Sequence, residues 1–525
     1  MNFLKKITLA ALFTGCLLPL TGAEVGVMDS LNKVRFSETN LSIPAGGIAV
    51  DAAKNESEAF QIITRGKEGE KVSVAVGALK DSKGVSPAVT VKIRHVVDRY
   101  LENTSNFANS SGMYPEILRW ADNAVLKADE AGRFWITLRV APDSPAGIFK
   151  GNVEVTTADG VKKIPLTLTI RSFALPHLPS LRADAGIWEQ FVEPVYELER
   201  GRDYFEFIRE HWPLLAEYRI SPRMSMQLSN AEIDGIPTLK PLPGHEDLVE
   251  AFEKAGLSYF SLPGGQFQRW KPERYQRLNN FVKQHPFLKE HGIVYFADEP
   301  WGEEGRRKLA EDLKIAKENA PDVKFMVTYY PCPELAGLVD VWNSPTTELR
   351  PNVLEDMKKE RANGKSTFTY NNTIYYAVDS HPTRMRLYFW RNFCNGFTGS
   401  VFWCTTHWKM RDGSPTRLLD PTAVKSEDFA QYGVDGILFY PGEEGLMPGI
   451  MMESVRDALE DYDYLTIAQQ TVKSEAGKQE LEAILKEAKK MFPKTLVKTN
   501  FKHSPETFKK LRTRLAVLIE KESAK

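Results

Sequence analysis

The sequence lacks an excess of charge of either sign. Its 525 residues include 68 Lys and Arg against 69 Asp and Glu, a formal net charge of -1 at pH 7. This balance gives no reason to expect a nucleic-acid or membrane-surface partner, because such partners require a strong field of one sign. With 42% hydrophobic and 26% charged residues, the composition is that of a globular protein. The length exceeds one ordinary core, so we expect two or three domains.

Cysteine is scarce as well. Apart from Cys16, the chain contains Cys332, Cys394 and Cys404. An odd number at wide spacing argues against a disulfide framework and excludes a CxxC zinc site. Neither GxGxxG nor GxxxxGK followed by Ser or Thr occurs at a predicted strand-to-helix turn, which removes the main motif support for nucleotide binding. We therefore predict no metal and no other cofactor.

Long apolar runs are confined to the first residues. Two lysines precede an apolar run from Ile7 to Leu20, and small residues ending at Ala23 offer a cleavage site, the layout of a signal peptide over residues 1–23. Lipoprotein processing at Cys16 is the weaker alternative, because an apolar LLPL would follow the lipidated cysteine. No other stretch approaches the roughly 20 apolar residues that a membrane span needs. We expect an exported protein, periplasmic or secreted, without a transmembrane segment.

Residues 24–175 have a β pattern. Short segments rich in Val, Ile and aromatic residues are separated by Gly, Asp, Lys and Pro. The pattern is clearest in FWITLRV, FKGNVEVTT and IPLTLTI, which alternate along the chain and are divided by the turns PDSPAG and ADG. Because such meanders form β-sandwiches, we predict an all-β sandwich domain here. Pro176 and Pro179 then make a stiff linker.

Helix-like segments alternate with short apolar segments after this linker. Examples are PERYQRLNNFVKQHPFLKEHG then IVYFADEP, EEGRRKLAEDLKIAKENAPD then KFMVTYY, and ELAGLVD then VWNSP. Six successive alternations indicate parallel α/β units. At about 250 residues or more, a (β/α)₈ TIM barrel fits better than a doubly wound sheet. We place the barrel at 180–465 and a short C-terminal helical region, with i, i+3/i+4 apolar spacing, at 466–525.

Acids, amides and aromatic residues accumulate where the predicted strands end. The segments are SLPGGQFQRW (261–270), ADEPW (297–301), TYYP (328–331), NSP (343–345), TYNNTIYY (369–376) and FWCTTHW (402–408). In a parallel barrel the C-terminal strand ends and the loops after them form the active face. Acids and amides bond sugar hydroxyls, while aromatic rings pack on the apolar side of a sugar. The sequence therefore indicates a carbohydrate site.

Asp298 and Glu299 are adjacent at the end of one such strand. Neighbouring residues of a regular strand point to opposite faces, so the pair shares a site only if the strand breaks there, and Pro300 and Gly302 favour that break. Two carboxyl groups close together separate each other's pKa values, which produces an acid beside a charged partner. The alternative is that the pair caps the following helix, since acids favour a helix N-terminus.

The chain resembles glycoside hydrolase family 123, which is related to β-N-acetylgalactosaminidases and was formerly an uncharacterised family. The resemblance is carried by YFADEPW, TYNNTIYYAVDSHPTRMRLYFW, FTGSVFWCTTHW and ESVRDALEDYDYL, and it covers roughly residues 180 to 470. It implies retaining hydrolysis in which the 2-acetamido oxygen of the sugar attacks C1. Glu299 would then be the general acid and base, and Asp298 would polarise the acetamido N–H.

The resemblance also implies substrate-binding residues, each with a structural alternative. Asn371 and Asn372 match strand-end amides that hold sugar hydroxyls, although Asn is also common in turns. Tyr375 or Tyr376 would donate to the acetamido oxygen, and their alternation along the chain turns one of them away.

Three further residues are weaker candidates for the same site. Trp403 is a stacking platform or a buried barrel residue. His381 and His407 would bond hydroxyls or serve as structural donors. In the segment GIMMESVRDALEDYDYL, Met451 stands where the family usually has Arg, a departure that bears more on packing or on subsite specificity than on the acid pair.

These patterns leave three functions open. The first is an exo-acting β-N-acetylgalactosaminidase whose substrate is a glycan or glycoconjugate with a terminal β-linked N-acetylhexosamine. The second is a glycosidase of another sugar specificity on the same scaffold, which needs a separate nucleophile such as Glu348 or Asp379. The third is a non-catalytic carbohydrate-binding protein, against which the intact acid pair and the strand-end aromatic residues argue.

Overall fold

The fold is known from a computed structural model. It describes residues 23–35, 42–101, 104, 111–127, 131–199, 202–223, 228–265, 269–345, 350–371, 376–408, 436–492 and 505–524. Cys16 and all of the predicted signal peptide except Ala23 lie outside these ranges. Among the described helices, none combines the length and the apolar character that crossing a membrane would require. Cys332, Cys394 and Cys404, all within the described ranges, form no disulfide with one another.

Strands make up most of the described residues between 23 and 174. They are β1 (Glu24–Asp29), β2 (Ile48–Lys54), β3 (Ser57–Arg65), β4 (Lys71–Val76), β5 (Val89–Leu101), β6 (Gly112–Trp120), β7 (Asn123–Val125), β8 (Gly132–Val140), β9 (Gly147–Thr157) and β10 (Gly160–Ala174). They form two five-stranded sheets, ordered β1-β3-β8-β5-β6 and β2-β10-β9-β4-β7. Neighbours are antiparallel except β2 and β10, which run parallel.

The two sheets bury residues in a common hydrophobic cluster. In β10 the alternating residues Ile164, Leu166, Leu168 and Ile170 are buried, and the residues between them are more exposed. They belong to one cluster with inward residues of β8 such as Phe134. Period-two alternation in the sequence thus becomes one apolar face on each sheet.

Eight parallel strands form the second region. They are β11 (Arg182–Ala185), β12 (Ser221–Pro222), β15 (Phe260–Leu262), β16 (Gly292–Asp298), β17 (Lys324–Thr328), β18 (Val341–Pro345), β19 (Ser366–Asn371) and β20 (Gly399–Phe402). Two hairpins lie outside this sheet: β13 (Leu228–Ile233) with β14 (Ile236–Pro241), and β21 (Phe439–Gly442) with β22 (Gly445–Pro448).

Helices alternate with these strands. They are α1 (Glu189–Tyr196), α2 (Arg202–Glu210), α3 (Trp212–Glu217), α4 (Leu248–Ala255), α5 (Pro272–Gln284), α6 (Pro286–His291), α7 (Glu303–Asn319), α8 (Pro351–Ala362) and α9 (Pro382–Cys394), then α10 (Ile450–Thr471), α11 (Glu475–Met491) and α12 (Pro505–Ser523). Proline opens α5, α8 and α9, where its fixed backbone angle suits a first turn and its missing N–H costs no hydrogen bond.

The parallel sheet curls into a nearly closed barrel. Its order is β12-β11-β20-β19-β18-β17-β16-β15, so the edge strands are β12 and β15. The hydroxyl of Ser221 in β12 accepts hydrogen bonds from the backbone N–H groups of Ser258 and Tyr259, both at 3.0 Å, and so links the two edges. The α/β barrel predicted from the alternating pattern is confirmed.

Strand β16 shows why its sequence is a continuous apolar run. Ile293 and Tyr295 belong to a small cluster with residues of the neighbouring strands, while Val294 and Phe296 belong to the larger cluster that includes helix residues. Both faces of a barrel strand are covered, one by the barrel interior and one by the helices. Polar residues therefore appear only where the strand ends.

One predicted helix is wrong. ELAGLVD forms a single 3₁₀ turn, Pro333–Leu335, instead of an α-helix. Gly337 follows with a backbone φ of 76°, in the left-handed region that a continuing helix does not use. The segment is therefore a short connection between β17 and β18.

A buried ionic cluster joins the N-terminal sheets to the barrel and to α10. Its centre is Glu453, the first residue of ESVRDALEDYDYL. One oxygen of Glu453 accepts from Arg94 at 2.9 Å and from the Tyr218 hydroxyl at 2.5 Å, and the other accepts from Arg456 at 2.5 Å and from the Trp135 indole at 3.2 Å. Burial raises the pKa of Glu453, but Arg456 and Arg94 outweigh it and bring the pKa to about 2.

Met451 lies on the same helix, close to this cluster. Its side chain is fully buried in the main hydrophobic cluster, and its backbone N–H donates to the Glu116 carboxylate at 3.2 Å. The Met451 side chain is therefore a core residue of α10, and its backbone links α10 to β6.

Replacing Glu453 by Gln is expected to lower the free energy of unfolding by about 3–5 kcal/mol at neutral pH, because two buried guanidinium groups lose their shared counter-ion. The loss should shrink as pH falls from about 4 towards 2, because the carboxylate that stabilises the folded state becomes protonated. Urea denaturation followed by circular dichroism measures the difference.

The control for this substitution is Glu475→Gln, which removes an exposed ion pair of 2.6 Å with Lys478. A pair of this kind contributes about 0–1 kcal/mol. Equal losses for Glu453→Gln and Glu475→Gln would contradict the role assigned to the buried cluster.

Candidate active site

The acid pair lies at the C-terminal end of β16, where the chain leaves the barrel. Asp298 is the last strand residue and is exposed, and Glu299 adopts a φ of 40°, in the left-handed region that non-glycine residues rarely use. The backbone N–H of Glu299 donates to the carbonyl of Thr328, the last residue of β17, at 3.0 Å. The strand break expected near Pro300 is therefore at Glu299.

The helix after the pair rules out the capping alternative. Helix α7 begins at Glu303, its N-cap is Gly302, and the acids of its first turn are Glu303 and Glu304. Asp298 and Glu299 lie before the cap, so neither capping nor the helix dipole explains the pair.

A chain of hydrogen bonds across three strands orients Asp298. The Tyr295 hydroxyl donates to one oxygen of Asp298 at 2.8 Å and lies 2.6 Å from the Thr328 hydroxyl, which accepts from the Asn343 amide at 2.8 Å. Because the amide N–H₂ is a donor and a carboxylate accepts, protons are best placed when Asn343 donates to Thr328, Thr328 to Tyr295 and Tyr295 to Asp298. This order leaves the second oxygen of Asp298 for another donor.

The three residues that support Asp298 suit that direction of donation. Burial, and secondarily Asp298, raise the pKa of Tyr295 well above its ordinary value, so the hydroxyl stays protonated and donates. Thr328 and Asn343 are fully buried, which holds them in place. The chain is therefore a rigid support under an exposed carboxylate.

Glu299 is held in a different environment from Asp298. Its side chain is half-buried, and burial together with the neighbouring Asp298 raises its pKa. A carboxyl group with a raised pKa keeps its proton to higher pH and is suited to general acid catalysis. The pair thus divides into a hydrogen-bonded acceptor and a readily protonated acid.

Arg223 lies against the ring of Tyr295, the residue that donates to Asp298. It follows β12, donates to the buried Asp184 at 2.6 Å, and lies over the rings of Tyr295 and Trp188, 5.0 Å and 5.5 Å from their centroids. Burial raises the pKa of Asp184 to about 6, although Arg223 acts to lower it. Arg223 therefore connects the support of Asp298 with the aromatic residues on the opposite side of the barrel mouth.

Those aromatic residues include two that the sequence indicated. The Trp188 indole donates to the carbonyl of Trp403 at 2.7 Å, and the rings of Trp403 and His407 are 5.3 Å apart. Trp403 is half-buried, while His407 is buried and packs edge-on against Phe191 at 4.8 Å. Through Arg223 and Trp188, the structure brings Trp403 and the acid pair to the same end of the barrel.

Tyr376 packs against another aromatic ring, and His381 caps a helix. Tyr376 is fully buried and meets Phe402 edge-on at 5.6 Å. His381 is the N-cap of α9, where its Nδ1 accepts from the Thr383 N–H at 3.3 Å, and burial lowers its pKa.

Other candidate site residues lie partly or wholly outside the described residues. Asn371 ends β19, but its side chain is not described, and Asn372, Tyr375 and Glu348 lie outside the described residues. Asp379 is described and buried.

Three residues were missed from the sequence: Tyr295, which contacts Asp298, Arg223, which contacts Tyr295, and Trp188, which contacts Arg223. Tyr295 lies inside an apolar run and reads as a core residue. Trp188 and Arg223 follow β11 and β12, which have four and two residues. Strands this short give no periodic signal, although an aromatic or cationic residue after a small apolar segment was a usable sign.

No group of three or more His, Cys, Asp or Glu residues suited to holding a metal ion occurs in the described part of the chain. Trp301, two residues after Glu299, is 78% exposed. A large exposed aromatic side chain beside a site is a typical contact for the flat apolar face of a ligand.

Comparison with known proteins gives an extensive structural match. No protein-family model and no curated sequence matches the chain. A family 123 glycoside hydrolase from Clostridium perfringens, solved in a study of glycolipid glycan hydrolysis, matches 95% of this chain and 97% of its own at a TM-score of 0.65 and 10% identity.

Two other glycosidases are much less similar. A β-D-glucuronidase of Dictyoglomus thermophilum, at 10% identity, matches 83% of this chain and 68% of its own, with a TM-score of 0.31. A chitinase catalytic domain from Pyrococcus furiosus, at 14% identity, matches 55% of this chain and 97% of its own, with a TM-score of 0.28. Neither similarity is strong enough to carry an argument. The extensive match leads to one conclusion: this chain has the fold of a family 123 glycoside hydrolase.

Proposed function

We propose that the protein is an exported glycoside hydrolase, a retaining exo-β-N-acetylgalactosaminidase that uses the 2-acetamido group of its substrate. One observation carries the proposal: two adjacent carboxyl groups leave the end of β16 in different states, Asp298 bonded by Tyr295 at 2.8 Å and Glu299 with a raised pKa. The fold shared with a family 123 glycoside hydrolase supports it.

Adjacent carboxyl groups favour substrate assistance over a protein nucleophile. Ordinary retaining glycosidases place two carboxyl groups about 5–5.5 Å apart on opposite sides of the bond that breaks. Asp298 and Glu299 project instead from one turn at a single strand end. An internal nucleophile in the sugar removes the need for a second group across the bond.

In the first proposed step, the acetamido oxygen attacks C1 and the bond between C1 and the leaving oxygen breaks. Glu299 gives its proton to the leaving oxygen. The second oxygen of Asp298 accepts a hydrogen bond from the acetamido N–H, which stabilises the oxazolinium ring that forms. In the second step Glu299 takes a proton from water and the water oxygen bonds to C1. The bond between C1 and the acetamido oxygen breaks, which restores the acetamide. Two displacements at C1 retain the β configuration.

Several parts of this proposal rest on sequence patterns. They are export by a signal peptide over 1–23, the β-sandwich over 24–175, the barrel bounds 180–465, the helical region 466–525, and sugar contacts by Asn371, Asn372, Tyr375, Tyr376, His381 and Trp403. Of the last group, Trp403 has the strongest support, because Trp188 and Arg223 join it to the acid pair. Trp301 is a further candidate for sugar stacking because of its exposure.

Release of nitrophenol from aryl β-GalNAc, β-GlcNAc and β-galactoside tests the function. We expect activity on the acetamido sugars and none on the galactoside, because galactose lacks the internal nucleophile. Activity on the galactoside would favour a glycosidase with its own nucleophile. A folded protein inactive on all three would favour the carbohydrate-binding alternative.

Replacing Glu299 by Gln should lower kcat by about 10²–10⁴-fold on a substrate with a poorly activated leaving group, because protonation of that group is lost. The loss should be smaller on nitrophenyl glycosides, whose leaving group needs little protonation. In the unchanged protein, activity should fall as pH rises through the raised pKa of Glu299, and this alkaline limb should disappear in the variant. A loss below about tenfold on the poor leaving group would contradict the acid role.

Replacing Asp298 by Asn should slow acetamido substrates severely, because the amide replaces a charged acceptor at the acetamido N–H. The expected loss is about 10–100-fold in kcat, the effect of one hydrogen bond to a charged group. Initial rates on aryl β-GalNAc measure it, and unchanged turnover would show that the pair has been misassigned.

Replacing Tyr295 by Phe removes the donor that orients Asp298, and we expect kcat to fall about tenfold or more with little change in KM. Tyr259→Phe is the matched control, because Tyr259 is a buried barrel tyrosine whose hydroxyl has no hydrogen-bond partner among the described residues. Equal kinetics for the two variants would exclude a positioning role for Tyr295.

A further inference from the structure

A buried ion pair lies against the tyrosine that supports Asp298. Asp184, in β11, is fully buried, and its Oδ2 accepts a hydrogen bond from the Arg223 guanidinium at 2.6 Å. The other oxygen of Asp184 has no hydrogen-bond partner among the described residues. Because a buried carboxylate needs a counter-ion to stay ionised, the charge of Asp184 depends on this one contact.

Arg223 links three strands at the end of the barrel that carries the acid pair. It follows β12, donates to the Phe402 carbonyl at the end of β20 at 3.2 Å, and lies 5.0 Å from the ring centroid of Tyr295 in β16. The Tyr295 hydroxyl donates to Asp298 at 2.8 Å. Arg223 therefore brings a fixed positive charge to the residue that orients Asp298.

The titratable groups around Asp184 come from four strands. On β11 itself, Arg182 precedes Asp184 by two residues and donates to a backbone carbonyl. Arg223 comes from β12, the Tyr259 phenol from β15, and the Tyr295 phenol from β16 beyond Arg223, while the paired strand β20 carries no titratable side chain. Burial raises the pKa of both phenols, so they stay neutral. Arg223 is therefore the counter-ion of Asp184.

The charge of this ion pair changes in an accessible pH range. Burial raises the pKa of Asp184 to about 6, although Arg223 acts to lower it. Asp184 is thus mostly ionised at neutral pH and takes up a proton as the pH falls through about 6. Arg223 keeps its charge throughout, because a guanidinium does not lose its proton in this range. Below that pH the ion pair becomes a single positive charge next to Tyr295.

An uncompensated positive charge opposes the proposed chemistry. The oxazolinium ring that forms in the first step is itself a cation, and Asp298 has to accept a hydrogen bond from it. Charges that lie close together in a site with little water interact strongly. An unpaired Arg223 would therefore raise the barrier to ring formation and weaken Asp298 as an acceptor, whereas a paired Arg223 has little effect.

We propose that Asp184 is a positioning residue for the acid pair, which acts by neutralising Arg223 and fixing it against Tyr295, and that full turnover requires Asp184 in its ionised form. The inference rests on the proposed function, since it concerns the cation that forms on the substrate. Asp184 is fully buried and acts through Arg223. It gives the activity an acid limit that the acid pair itself does not supply.

The test is the pH dependence of kcat on nitrophenyl β-GalNAc. In the unchanged protein, kcat should fall as the pH drops through about 6. Asp184→Asn should lower kcat at neutral pH about tenfold or more with little change in KM, because Arg223 loses its counter-ion. The variant should also lose the acid limb and keep the alkaline limb assigned to Glu299. A merely structural role would lower kcat while leaving the acid limb in place.

A double variant separates the effect of charge from that of packing. Asp184→Asn combined with Arg223→Met removes both charges and keeps most of the side-chain volume, so this end of the barrel becomes neutral again. We expect its kcat at neutral pH to exceed that of Asp184→Asn severalfold and to show no acid limb. A double variant that is slower than Asp184→Asn would contradict the proposal.

The matched control is Asp312→Asn, on the outer side of β16. Asp312 accepts from Arg269 at 3.2 Å, and Arg269 lies 4.0 Å from the ring centroid of Phe296, the residue after Tyr295. This pair repeats the arrangement of acid, arginine and aromatic ring away from the acid pair. Asp312→Asn should change kcat by less than about twofold and should keep the acid limb.

The outcomes separate this inference from the proposed function. If the unchanged protein cleaves nitrophenyl β-GalNAc without an acid limb, or if the limb persists in Asp184→Asn, Asp184 does not have this role and the function stands. Should Asp184→Asn fail to fold, an acid limb that persists in the double variant overturns the inference in the same way. If the unchanged protein cleaves no aryl glycoside, the proposed function fails and the inference fails with it.

Discussion

One buried carboxylate, Glu453, accepts hydrogen bonds from several regions of the molecule. It accepts hydrogen bonds from Arg94 and Trp135 of the N-terminal sheets, from Tyr218 beside the barrel, and from Arg456 of its own helix. Removing a charge from water is costly. Burial alone would neutralise Glu453, but Arg456 and Arg94 keep its carboxylate ionised. The sheets before the barrel therefore stabilise α10, which packs against the barrel.

The acid pair, Asp298 and Glu299, depends on neighbouring strands rather than on its own segment. Glu299 holds an unfavourable backbone angle through one hydrogen bond to Thr328, and Asp298 is oriented through Tyr295, Thr328 and Asn343. A displacement of β16, β17 and β18 relative to one another would break the hydrogen bonds that hold Asp298 and Glu299. Strained backbone of this kind persists only where the surrounding structure fixes it, as a closed barrel does.

The sequence was sufficient for the barrel and for the acid pair, because long apolar runs ending in polar residues are a local signal. Contacts between residues that come together only when the chain folds could not be predicted from it. Arg223 and Trp188 follow strands too short to be recognised, and Tyr295 is indistinguishable from a core residue until its partner Thr328 is known.

In the proposed mechanism the acetamido group of the substrate is the nucleophile. The most direct test compares the rates on nitrophenyl β-GalNAc and on the analogue in which the N-acetyl group is replaced by N-trifluoroacetyl. Fluorine withdraws electrons from the attacking oxygen while changing the size of the group little. The account predicts a steep fall in kcat/KM for the fluorinated substrate. Nearly equal rates would contradict it and would direct attention to a nucleophile of the protein.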